Sequence, residues 1–236
     1  MTSERSSGVR FRVLEFLIQS THKLEVPPIV KYSALSLFAD RFYPSLSSLH
    51  YVTNSGNWLL QPVSESNLQL FALISIWISS KIHDSHPLSV KRLKSLGDKI
   101  IKEQHFTTRD FLEAEVVLMQ VLNFEIGTSN IAFIHLEELL IQFKGIARAG
   151  DSVNFEACMD IMDLLYEKEE TSTHYSSPRS LAASILVASY VITVPKQSWE
   201  FPVLPWVKFV TSCSEENILE IVRDILEHVF EPSSAF

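Results

Sequence analysis

The chain has 236 residues, 46% hydrophobic and 11% aromatic, enough apolar material for one large domain or two of roughly 100 residues each. A formal net charge of −8 argues against phosphate-backbone binding as the main activity, since that needs a basic surface, and favours basic or neutral partners over nucleic acid. Its two cysteines, Cys158 and Cys213, lie far apart and near no other ligand type at metal-site spacing, so neither a disulfide framework nor a zinc site is expected, and the compartment is a reducing one.

The opening MTSERSSGVRFR puts Glu4 and arginines where a secretory leader needs its apolar stretch, so no secretion is expected. Residues 1–8 read as a short extension. With only 6 glycines and little strand-like alternation, and with apolar residues recurring at i, i+3, i+4, the whole chain is predicted to be helical. A first set of five helices is predicted at Val9–Ser20, Pro28–Arg41, Ser66–Lys81, Val90–Glu103 and Thr108–Phe124. Pro27 and Pro28 open the second, and Pro44 closes the region after it. Ser45–Pro62, rich in serine and asparagine and long for a helix connection, reads as a loop. Thr107 with Asp110 supplies a capping hydroxyl and a first-turn acid for the fifth helix.

Gly127-Thr128-Ser129-Asn130 breaks the pattern, and a second set follows at Asn130–Phe143, Asn154–Glu169, Pro178–Val194, Pro205–Thr211 and Ser214–Glu231. Ser214 before Glu215 and Glu216 is a good helix start. The third helix of each set, LQLFALISIWISS and SLAASILVASYVI, is apolar nearly all round and belongs at a bundle centre. Two bundles each wrapped about such a helix suggest an internal repeat of about 100 residues, placed at 9–127 and 128–231 with a tail at 232–236. The longest apolar stretch, SLAASILVASYVITV, falls short of the ~20 residues of a membrane span, so no membrane partner is expected.

Two charges stand where apolar residues should. Lys81 ends LQLFALISIWISSK, and Glu115 falls among Phe111, Leu118, Met119, Val121 and Leu122 when TRDFLEAEVVLMQVLNF is wound at about 100° per residue. A carboxylate carried bare into a low-dielectric site costs several kcal/mol, so it must pair, hold its proton or await a partner. A plain structural account stands beside this one: Lys81 complements the helix dipole, Glu115 pairs with it internally, and the stripe Ile78, Ile82, Met119, Phe124, Ile126 is core. G-x-S-x-G, H-E-x-x-H, GK[ST] and G-x-G-x-x-G are all absent, which argues against an enzyme, and no catalytic residue, metal ligand or cofactor is expected. His83 and His86 read as loop residues for want of a third ligand nearby.

From Val9 to Ile126 the chain resembles the cyclin box, the five-helix module of cyclins. The resemblance rests on VRFRVLEFL, LFADRF, LISIWISSKIHD and FLEAEVVLMQVLNFEI, taken in order, with Asp84 following Lys81 and a downstream E-x-x-x-M-x-x-L-x-F-E. Thr128–Glu231 looks like the second, more divergent cyclin fold, YSSPRSLAASILVASYV matching its third helix. Among cyclins the chain looks most like the small plant J-group. The fold implied is all-α, two consecutive five-helix cyclin-fold bundles.

The resemblance implies a non-catalytic regulatory subunit that binds and activates a cyclin-dependent serine/threonine protein kinase in cell-cycle and cell-division control. Its place would be the nucleus and/or the cytoplasm, with kinase substrates as further partners. Carried over, Lys81 and Glu115 are the polar anchors of the kinase interface, and Ile78, Ile82, Met119, Phe124 and Ile126 its apolar floor. Departures are visible in the first helix, where cell-cycle cyclins dock Arg-x-Leu motifs: Arg12 replaces an apolar position, Phe16 the usual Trp and Gln19 the usual acid. About eight residues before that helix leave no room for a mitotic destruction box. A cyclin-fold adaptor in transcription that activates no kinase is the alternative.

Overall fold

The computed structural model describes residues 2–49, 57–60, 63–127, 130–167, 177–198 and 201–230. Every regular element among them is helical, and the chain divides into two compact units, residues 1–128 and 129–236.

The first unit comprises α1 (Thr2–Leu24), α2 (Pro28–Leu35), a π-helical segment (Ser36–Phe42), α3 (Tyr43–Leu49), α4 (Glu65–His83), α5 (Val90–Ile100) and α6 (Thr108–Val121). At its centre is α4, as its composition requires: Ser66–Asn67–Leu68 and every residue from Leu70 to Ser80 are buried. Fully burying a Leu, Ile or Phe side chain stabilises by about 1.5–3 kcal/mol relative to exposure, so this helix holds α1, α2 and α6 around it. Two of the serines inside it bond back to the helix, Ser75 Oγ donating to Phe71 O at 2.9 Å and Ser80 Oγ to Trp77 O at 2.7 Å, while Ser79 Oγ is buried without a hydrogen-bond partner among the described residues. Ser64 caps its start by accepting from Asn67 N at 3.1 Å. Gly97 of α5 faces Phe111 and Leu73, and a Cβ there would meet them at 3.4 Å and 3.5 Å, ordinary van der Waals contact.

The second unit comprises α7 (Ala132–Ile146), the single turn α8 (Arg148–Asp151), α9 (Phe155–Glu167), α10 (Pro178–Thr193), a 3₁₀ turn (Lys196–Ser198), α11 (Val203–Thr211) and α12 (Glu215–Phe230). Its central helix is α10, with Ala182 through Tyr190 all buried and α7, α9, α11 and α12 packed about it. Phe143 gathers an aromatic cluster with Phe201 and Trp206, each 5.2 Å away between centroids, and Tyr190 at 5.9 Å. Ser214 accepts from Asn217 N at 3.3 Å and starts α12 as read.

Several expected boundaries need correction. The expected extension is helical from Thr2, so α1 starts before Val9 and runs on to Leu24, where His22 and Lys23 complement the dipole. The helix expected over Pro28–Arg41 is not uniformly α: from Ser36 the turns widen to π geometry, in which residues four and five apart share a face and Leu37, Phe38, Ala39 and Phe42 all stay buried. Pro44 does not close it: the π segment runs into α3 without a break, and Ser45 through Leu49 are helical rather than loop. Of the remaining Ser45–Pro62 loop, residues 57–60 form a turn held by Asn67, whose Nδ2 donates to Leu59 O at 3.0 Å, while 50–56 and 61–62 lie outside the described residues. The predicted ends at Glu103 and Phe124 fall instead at Ile100 and Val121. In the second unit the expected starts at Asn130, Asn154, Pro205 and Ser214 shift to Ala132, Phe155, Val203 and Glu215. Residues 128–129, 168–169 and the 231–236 tail lie outside the described residues.

Candidate partner-binding surface

Two local structures place Lys81 and Glu115. The capping box that starts α6 is present in full: Asp110 N donates to Thr107 Oγ1 at 3.3 Å, and Thr107 N donates to Asp110 Oδ2 at 2.6 Å. From that fixed start, Phe111, Ala114, Val117 and Leu118 turn into the core, and Glu115 falls at the border of the buried face, 15% exposed. Lys81 lies in the last turn of α4, where burial ends, and its side chain is 40% exposed. Its Nζ stands 2.5 Å from Glu115 Oε1 and 3.6 Å from the centroid of the Trp77 ring. Lys81 thus meets a carboxylate and the negative face of an indole together. Trp77 is itself fixed, because its Nε1 donates to Leu88 O at 2.8 Å.

The apolar residues named with this pair divide by depth. Ile82 is 43% and Phe124 64% exposed, Met119 and Ile126 are half-buried, and Ile78 is 2% exposed, so Ile78 belongs to the core and not to the exposed surface. The chain beyond α6 closes with a Schellman motif: Phe124 N donates to Met119 O at 2.7 Å and Asn123 N to Gln120 O at 3.0 Å. Asn123 and Phe124 both take left-handed backbone, φ 51° and 62°. Asparagine adopts that region readily; phenylalanine does not.

Three neighbours escaped the sequence reading. Leu112 and Val116, 49% and 46% exposed, form an outward apolar pair beside Glu115, and their i, i+4 spacing on the face away from Phe111 was the signal available. Arg41 carried no such signal. It reaches across 84 and 86 residues of sequence, donating to the backbone carbonyls of Glu125 and of Gly127, the latter at 3.0 Å.

In the first helix, Arg12 pairs with Glu65 at 2.6 Å, and Gln19 Nε2 donates to Glu15 Oε1 at 3.1 Å. Hydrogen bonding from Arg12, joined by its charge, holds the Glu65 carboxyl below its usual range against the opposing effect of burial. Burial likewise pushes the His83 imidazole down. His86 is exposed, with its Nδ1 2.9 Å from Ser85 Oγ, and the described residues contain no group of three or more His, Cys, Asp or Glu placed to hold a metal ion. No helix among them is long and apolar enough to cross a membrane.

Residues 2–127 match the family model described as the cyclin N-terminal domain. Over 226 residues the chain is 63% identical to Cyclin-J18 of Arabidopsis thaliana, covering 96% of this chain and 97% of that protein. It is 53% identical over 229 residues to Cyclin-J18-like of Oryza sativa subsp. japonica, covering 94% and 88%. Among solved structures it resembles the viral cyclin of herpesvirus saimiri, with a TM-score of 0.67 at 17% identity over 96% of this chain and 87% of that one. The chain belongs to the cyclin family, and its two relatives make it a J-type cyclin of the kind found in plants.

Proposed function

We propose that this cyclin is a regulatory, non-enzymatic subunit that binds and activates a cyclin-dependent serine/threonine kinase in cell-cycle and cell-division control, acting in the nucleus or cytoplasm. The observation that carries the reading is the Lys81–Glu115 pair, 2.5 Å apart with the lysine 40% exposed, on a unit that also leaves the apolar side chains of Ile82 and Phe124 open to solvent. Charged groups framed by apolar ones that exclude water make up the anatomy of a binding hot spot. Ile82, Met119, Phe124 and Ile126 form the apolar floor, with Ile78 in the core. The cyclin binds the kinase arrangement in which the catalytic Lys–Glu pair is formed and the activation loop is open, and so shifts the kinase population towards its active state. Kinase substrates are the further partners.

The test is affinity capture of the full chain from plant extract, mass-spectrometric identification of the co-purifying kinase, and phosphotransfer to a histone substrate with and without the cyclin. Co-purification with gain of activity is expected. Recovery with transcription factors alone, and no gain in phosphotransfer by any kinase, would replace this reading with the adaptor one.

A further inference from the structure

We infer that Arg41 is a positioning residue for the partner-binding surface: its guanidinium straps the segment after α6 and so presents Phe124 and Ile126. The inference rests on the reading that these side chains meet a kinase. Phe124 is 64% exposed, so burial of its ring does not fix the segment, yet its backbone takes φ 62°, where a bulky residue persists only under restraint from its surroundings. Local bonds supply part of that restraint, from Phe124 N to Met119 O at 2.7 Å, Glu125 N to Leu122 O at 2.9 Å and Ile126 N to Phe124 O at 3.0 Å. These bonds shape the turn and tie it to the end of α6 alone.

A second tie comes from Arg41, whose Nη2 donates to Glu125 O and whose Nη1 donates to Gly127 O at 3.0 Å. Two donors of one planar fork take two carbonyls, two residues apart, on the strand that carries Phe124 and Ile126. A lysine, with a single nitrogen, has no such fork. Arg41, Pro44 and Ser45 on one side and Val121, Asn123 and Glu125 on the other line a shallow, open cleft of about 380 Å³ at the strap. The π-helical segment Ser36–Phe42 carries Arg41, while the ring of Phe42 in the same turn packs, tilted, 4.6 Å between centroids from Phe71 of α4. The strap is therefore anchored on the unit's core. A surface held ready before binding loses less freedom on association, which is how Arg41 would act on affinity without touching the kinase.

The experiment measures binding of a purified plant cyclin-dependent kinase to the wild-type chain and to Arg41→Ala, Arg41→Lys, Phe124→Ala and the Arg41→Ala/Phe124→Ala double variant. Amide exchange of Glu125 and Ile126 and thermal melting are recorded alongside. Arg41→Ala should weaken binding about tenfold and speed exchange at both amides, yet cost clearly less than about tenfold in the Phe124→Ala background, because part of its effect passes through that side chain and the rest through Ile126. Arg41→Lys, which keeps the stem and the charge, should melt as wild type while still speeding exchange, and it decides the matter where Arg41→Ala fails to fold. Weakened binding by Phe124→Ala, with binding and exchange unchanged in both Arg41 variants, overturns the strap. Unchanged binding by Phe124→Ala, Lys81→Ala and Glu115→Ala overturns the kinase surface itself and the strap's part in it, a pattern that failure of the strap alone does not produce.

Discussion

Lys81 Nζ lies 2.5 Å from Glu115 Oε1, so the two charges that looked out of place in the sequence are each other's partner in the free chain. The lysine is 40% and the glutamate 15% exposed, and a bridge that still reaches solvent contributes about 0–1 kcal/mol. A double-mutant cycle with Lys81→Met and Glu115→Gln in urea unfolding should give a coupling energy in that range. A coupling above about 3 kcal/mol would make the pair a structural element of the bundle, as for a buried bridge.

Acid should erode the first unit through Glu65. A carboxyl whose folded pKa is lowered adds stability above its unfolded value of 4.5 and loses it as pH falls through the folded value. Thermal melts between pH 6 and about pH 3 should therefore fall more steeply in the wild type than in Glu65→Gln, the two converging at the acid end. Parallel curves would show that the Arg12–Glu65 tie contributes nothing to folding.

An Arg-x-Leu peptide should bind the first helix weakly. Arg12 stands where an apolar docking position is expected and is committed to Glu65, while Gln19 in place of an acid offers the peptide arginine no charge. Losing one charge-assisted contact costs roughly 1.5–3 kcal/mol. Calorimetric titration should find no micromolar affinity; a micromolar site mapped to α1 contradicts the account.

Cys158 should be inert. Burial pushes its thiol up to about 11, so the thiolate that reacts is scarce at neutral pH, whereas Cys213 is partly open to solvent. Alkylation of the native chain near pH 8 followed by peptide mass spectrometry should find Cys213 modified and Cys158 spared, with both modified after denaturation. Equal native rates at the two sites would show that the first is not sealed.

Much of this arrangement was legible in the sequence because composition and capping chemistry act locally. The run from Leu68 to Ser80 could only be a bundle centre, and Thr107 with Asp110 set the phase that puts Glu115 at the edge of the buried face. The same run already placed Ile78 inside, which makes it core rather than an exposed contact. The π-helical segment was not legible, because i, i+4 patterning does not distinguish α from π turns when residues on both sides are apolar. Nor was the end of α6: no glycine announces the left-handed pair Asn123 and Phe124, and an arginine bound to carbonyls 84 and 86 residues away leaves no trace in local spacing.

The proposed kinase-anchoring role of Lys81 and Glu115 is tested most directly by capture and activation assays on Lys81→Ala, Glu115→Ala and, from the other side of the helix that carries Glu115, Glu113→Ala. Circular dichroism and melting of the same preparations report on the fold. Removing one anchor leaves polar groups of the kinase buried without a partner, a cost on the order of 2–5 kcal/mol, or tens to thousands of fold in affinity. The account predicts that the first two variants melt like the wild type yet neither bind nor activate the kinase, while Glu113→Ala does both. Full activation by the Lys81 and Glu115 variants, or their unfolding, would contradict it.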